Sequence, residues 1–155
     1  MLRTSVGSPR GRRALFFGRV LGGTVSAMDA LRIESPSPYA PSIGFSAAVR
    51  SGDLIFVAGM TAVGADGEVV GEDAYAQARE ALRKVVETVR AAGGRGASDV
   101  VQTRMYLVDA ADWEAVGRAH GEVFAAAPPA ATIVVTGLLD PAMRVEVEAI
   151  ARVEP

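Results

Sequence analysis

The strongest constraint on the fold of this chain lies near its C terminus. Over residues 143–153, Val145, Val147, Ala149 and Ala151 alternate with Arg144, Glu146, Glu148 and Arg152. Successive side chains of a β-strand point to opposite faces, so this period of two puts those apolar groups on one face and the charges on the other. Such a strand needs a sheet with one covered face. On an isolated subunit, the face carrying Glu148 with Arg144, Glu146 and Arg152 is by default a solvated one.

The cover is legible upstream. In Ala74 to Ala92, the residues Tyr75, Ala78, Leu82, Val85, Val86 and Val89 recur at spacings of three and four, while Arg79, Glu80, Arg83, Lys84 and Glu87 fall elsewhere. This is the pattern of an amphipathic helix, capped by Glu72 or Asp73 and ended by Gly93-Gly94. A second helix follows Asp109, with Trp113, Val116, His120 and Phe124 on one side, and Pro128-Pro129 stops it. The proline-punctuated stretch Ser35 to Ser42 is expected to be extended. Phe45 to Val49 and Asp53 to Ala58 are predicted strands joined at Ser51-Gly52, Asp99 to Val108 is a third, and Thr132 to Thr136 and Met143 to Val153 are the last two. Strand, strand, helix, strand, helix, strand, strand predicts an α/β (α+β) domain, with two helices packed on one face of a mixed sheet.

Half of the 155 residues are apolar, enough for one sizeable core. Residues 1–34 are expected to be a basic N-terminal extension outside the fold, and 35–155 the domain. Arg10, Arg12 and Arg13, the apolar run at Leu15 to Phe17 and small residues near Ser26 sketch a signal peptide, but Arg19 interrupts the run; a start at Met28 is the preferred reading. No stretch reaches the roughly 20 consecutive apolar residues of a membrane helix, so no membrane partner is expected. Residues 1–27 hold five arginines and no acid, whereas residues 28–155 hold eleven basic and eighteen acidic side chains, a difference of −7. Nonspecific nucleic-acid binding draws on Lys and Arg neutralising phosphates, so this body is a poor partner for RNA or DNA. There is no cysteine, and the lone His120 cannot form a metal cluster without carboxylates; no metal and no cofactor are expected, and a cytoplasmic location fits.

Few motifs carry chemistry. Gly64-Ala-Asp-Gly67 lacks the Gly-x-x-x-x-Gly-Lys pattern of a phosphate loop, and Gly93-Gly-Arg-Gly96 ends a helix where a dinucleotide fingerprint begins one. Asp109 and Asp112 are accounted for as helix caps. His120 lies on an apolar helix face between Val116 and Phe124, where a packed, hydrogen-bonded histidine is commoner than a catalytic one. Ser46, Ser51, Thr61 and Thr132 have no evident base.

Gly52-Asp-Leu-Ile-Phe-Val-Ala-Gly59, Gln77 with Ala92-Gly93, Asp99-Val-Val-Gln-Thr-Arg-Met-Tyr-Leu-Val-Asp109, Pro129-Ala130 and Val145-Glu-Val-Glu-Ala-Ile-Ala151 together resemble the RidA/YjgF family from Tyr39 to the end of the chain. The resemblance implies a chorismate-mutase-like fold assembled as a homotrimer, small-molecule ligands in clefts between subunits, and hydrolysis of reactive enamines and imines from amino-acid metabolism to keto acids and ammonia. It implies a catalytic glutamate at Glu148 and backbone contacts at Gly59 and Ile133. It also places a carboxylate-binding arginine where this chain has Ala131, a tyrosine at Phe45, a serine at Ala58 and an asparagine at Gly117. Loss of a bidentate charged contact costs about 1.5–3 kcal/mol, so a free amino-acid imine is expected to bind poorly. Arg118 is the first substitute anchor to consider, with Arg144 behind it. Two functions follow as expectations: a deaminase-type hydrolase acting on a small imine, enamine or related carbonyl compound, or a non-catalytic trimeric module binding a small metabolite. A ribonuclease is least compatible with the acidic body.

Overall fold

A computed structural model describes residues 30–64 and 66–154. Six strands form one sheet: β1 Leu31–Ile33, β2 Ala48–Ser51, β3 Leu54–Thr61, β4 Val100–Leu107, β5 Ala130–Val135 and β6 Val145–Arg152. Their spatial order is β1-β2-β3-β6-β4-β5, with β4 and β5 parallel and the remaining neighbours antiparallel. The C-terminal strand therefore sits in the middle of the sheet. Among the described residues, three α-helices accompany the sheet: a single turn α1 Ala40–Ile43, α2 Ala74–Ala91 and α3 Trp113–Val123.

The alternation in β6 does what its period dictates. Val145, Val147, Ala149 and Ala151 are buried beneath α2 and α3, together with Ile55 and Val57 of β3 and Met105 and Leu107 of β4. From α2, Ala78, Leu82, Val85 and Val89 enter the same core, and α3 adds Val116 and Ala119. Full burial of a Val or Leu side chain stabilises by roughly 1.5–3 kcal/mol, so this face holds the domain together. The Asp73 side chain accepts from the Ala76 N–H and caps α2, and Gly93, at φ 91°, turns the chain away after it. The other face of the sheet, on which Phe56, Ile150, Arg104, Tyr106, Glu146 and Glu148 lie, takes no part in this packing.

Three local expectations are corrected. The stretch Ser35 to Ser42 is not extended throughout, because Ala40–Ile43 closes one helical turn. Pro41 fits in that first turn, where its missing N–H would have no helical partner, and Gly44 ends it in the left-handed region at φ 84°. The first hairpin strand starts at Ala48 rather than Phe45. The sheet also begins ahead of residue 35: Leu31–Ile33 pairs antiparallel with β2 at its outer edge. The signal-peptide features of residues 1–27 lie outside the described residues.

Candidate functional site

The pairing of β3 with β6 is irregular at one place. Val57 pairs with Ala149 and Met60 with Val147, so β3 spends one residue more than β6 over this interval, which is a β-bulge at Ala58-Gly59. Residue 59 is a glycine, and with Glu146 where it lies a β-carbon there would stand 1.8 Å from Oε1 of Glu146 and 2.8 Å from its carboxyl carbon. The carboxyl of Glu146 thus lies directly against the β3 backbone, with Tyr106 and Thr61 as its register neighbours. Burial pushes its pKa above the ordinary glutamate value, and the negative charge of Glu148 adds to the shift. A carboxyl held this way keeps its proton at a higher pH and is a stronger base once it loses it.

Glu148, the carboxyl singled out by the resemblance, has a different setting. Its Oε1 accepts a hydrogen bond from Nη1 of Arg104 at 2.6 Å, an ion pair across adjacent strands. An acceptor already engaged by a guanidinium is poorly suited to exchange protons with a substrate, so Glu146 is the better acid–base group on physical grounds. Sequence reasoning assigned Glu146 to a solvated face. The signal that could have found it is Gly59, because an isolated glycine inside a strand pattern marks a bulge or a close approach.

Phe45 leads into the same region. Two residues on, the Ala47 carbonyl accepts from the Ala58 N–H, so this segment runs beside the bulge; Phe45 itself is 40 % exposed.

A second group of the expected residues gathers at β5. Ala131 and Ile133 are register partners of Thr103 and Met105, both buried, so their side chains point to the helix-covered side of the sheet, at its uncovered rim. All of β5 is exposed. On α3, Arg118 and Glu122 face α2 through Tyr75; Gly117 therefore falls on the opposite side with His120 and Phe124, toward β5. His120 Nε2 lies 2.9 Å from Thr103 Oγ1, the packed and hydrogen-bonded histidine that its position predicted.

Neither substitute arginine stands beside Ala131. The Arg118 guanidinium lies over the Tyr75 ring, 4.3 Å from its centroid, on the helix layer. Arg144 makes two hydrogen bonds to the Asp112 carboxylate, at 3.1 and 3.2 Å. Within one chain, then, Gly59, Glu146 and the Phe45 segment form one group, and Ala131, Ile133 and Gly117 form another, on opposite faces of the sheet.

The profile of the endoribonuclease L-PSP family matches residues 35–153. An uncharacterised protein of Streptomyces coelicolor is 42% identical over 119 residues, covering 76% of this chain and 87% of its own length. The 3-aminoacrylate deaminase RutC of Acinetobacter baylyi is 30% identical over 120 residues, covering 77% of this chain and 92% of its own. Among solved structures, Rv2704 of Mycobacterium tuberculosis, described as a member of the YjgF/YER057c/UK114 family, superposes with a TM-score of 0.73 at 36% identity, over 80% of this chain and 99% of that one.

Proposed function

Because the chain belongs to the endoribonuclease L-PSP family, which includes the YjgF (RidA) proteins and their chorismate-mutase-like fold, we propose that it hydrolyses a small imine, enamine or related carbonyl metabolite, with Glu146 as the proton-handling carboxyl. The observation that carries this reading is the Glu146 carboxyl held against the Gly59 backbone, half-buried and with its pKa raised. In imine hydrolysis, the oxygen of water bonds to the C=N carbon while nitrogen takes up a proton. The C–N bond of the resulting carbinolamine then breaks, releasing ammonia and leaving a carbonyl. In the first step Glu146 takes a proton from the attacking water and passes it to nitrogen; in the second it takes the carbinolamine hydroxyl proton and passes it to the departing nitrogen.

The reading includes the homotrimer. The open sheet face and the exposed β5 of one copy are surfaces for further copies, and a cleft between subunits would join the Glu146 group of one to the β5 group of the next. Ala131 offers such a cleft neither charge nor donor, which disfavours substrates that depend on a free carboxylate. It equally supports a second reading, a module that holds a small uncharged metabolite without turning it over. RNA cleavage fits less well with the −7 balance of residues 28–155.

The test is ammonia release by the full chain from imines generated in situ by an amino-acid oxidase, and from imines without a carboxylate. Turnover of the latter that disappears in Glu146→Gln supports the hydrolase. Ammonia released no faster than without protein, for every imine, leaves the binding module.

A further inference from the structure

His120 is the only histidine of the chain, and the reaction proposed above does not use it. Its Nε2 is 2.9 Å from Oγ1 of Thr103, a residue buried completely under α3. Thr103 is also the register partner of Ala131, and adjacent strands lie about 4.8 Å apart. The imidazole therefore stands one strand away from the exposed methyl of residue 131, on the same side of the sheet. Gly117 and Gly121 flank it on α3, and a β-carbon at either would meet no atom within 4 Å, so the helix surface beside the ring is open. Burial pushes the imidazole toward its neutral form. In the tautomer in which the Thr103 hydroxyl donates to Nε2, Nδ1 carries the proton and is left to donate to something else.

We propose that His120 is the ligand-recognising group of the β5 wall, that its Nδ1–H binds small carbonyl, amide or imine compounds, and that Ala131, which brings no cation, makes the wall favour uncharged ligands over carboxylates. An oxygen or imine nitrogen with a free lone pair satisfies Nδ1–H, the apolar body of the ligand rests on Ala131 and Ile133, and no cation is present at residue 131 to compensate a desolvated carboxylate. The inference rests on β5 being one wall of the ligand site, and it names the chemical class that the site accepts.

Because there is one histidine, its ring nitrogens give a single set of NMR signals in untagged, full-length protein. Propionamide and propionate have the same shape and differ in charge, so they are the probes. Propionamide is expected to move the His120 ring signals saturably, with propionate about tenfold weaker. Ala131→Arg, at an exposed position, is expected to reverse that order. Equal or stronger binding of propionate to the parent, or no response to either probe, overturns the proposal, as does undiminished propionamide binding by His120→Phe. Imine turnover without a propionamide response removes this inference and leaves the hydrolase; a selective response without turnover does the reverse.

Discussion

The Glu146 carboxyl occupies space that a β-carbon on residue 59 would need: Oε1 would be 1.8 Å from it. The obstacle is the far end of a flexible side chain, and the Gly59 backbone is not in the left-handed region. Gly59→Ala should therefore be accommodated by swinging Glu146 aside rather than by unfolding. We expect a stability loss at the low end of the overpacking range, about 1 kcal/mol, in urea denaturation. Imine turnover should nevertheless fall as far as in Glu146→Gln, on the order of 10²–10⁴-fold. Full activity in Gly59→Ala would show that the approach of these two groups has no part in the reaction.

Glu148 should behave as a structural partner. Its ion pair with Arg104 is partly exposed, with side-chain exposures of 32% and 47%. Pairs of this kind couple by about 0.2–1 kcal/mol and are screened by salt. A double-mutant cycle of Arg104→Gln and Glu148→Gln should return a coupling in that range that shrinks in 1 M NaCl. Glu148→Gln should retain most of any imine turnover. A loss as deep as that of Glu146→Gln would return the catalytic role to Glu148.

The core was more legible in the sequence than the site. Val145, Val147, Ala149 and Ala151 declare a one-sided strand, and Leu82, Val85 and Val89 declare the helix that covers it, because burial imposes a period on the side chains. Leu31–Ile33 gave no such sign: three residues at a sheet edge are too few to show alternation, and their pairing is set by β2. The difference between Glu146 and Glu148 was hidden for another reason. Both share one strand face, and only the bulge in β3 and the distant Arg104 distinguish them. Arg118 turns to Tyr75 and away from its sequence neighbour Gly117, a divergence that adjacency in the sequence does not show.

Gln77 ties the start of β6 to α2. Its side chain, 3% exposed, donates to the carbonyls of Gly71 and Ala142 at 3.2 and 3.0 Å and accepts from the Arg144 N–H at 2.8 Å. A typical hydrogen bond contributes about 1 kcal/mol net, and buried backbone groups left unpaired cost more. Gln77→Leu is expected to lose about 2–4 kcal/mol in urea denaturation. Gln77→Glu should also destabilise, because a carboxylate cannot donate to the two carbonyls. A change below about 0.5 kcal/mol in Gln77→Leu would mean that the loop before β6 is held by other contacts.

Glu146 also sets a pH dependence of stability. Burial raises its folded-state pKa above the ordinary value of 4.5, with a further contribution from Glu148. Between those two pKa values the folded state binds more proton than the unfolded state, so this group makes stability fall as pH rises through the window. Below the ordinary value both states are protonated and the penalty is absent; above the raised value it is fully present. Glu146→Gln removes the ionisation while keeping the shape, so its stability relative to the parent should improve as pH rises above the ordinary glutamate value and then level off. Urea midpoints of both proteins at closely spaced pH values measure the difference. A constant gap across that range would mean that Glu146 ionises alike in the folded and unfolded chains, and the raised pKa on which its acid–base role depends would fall with it.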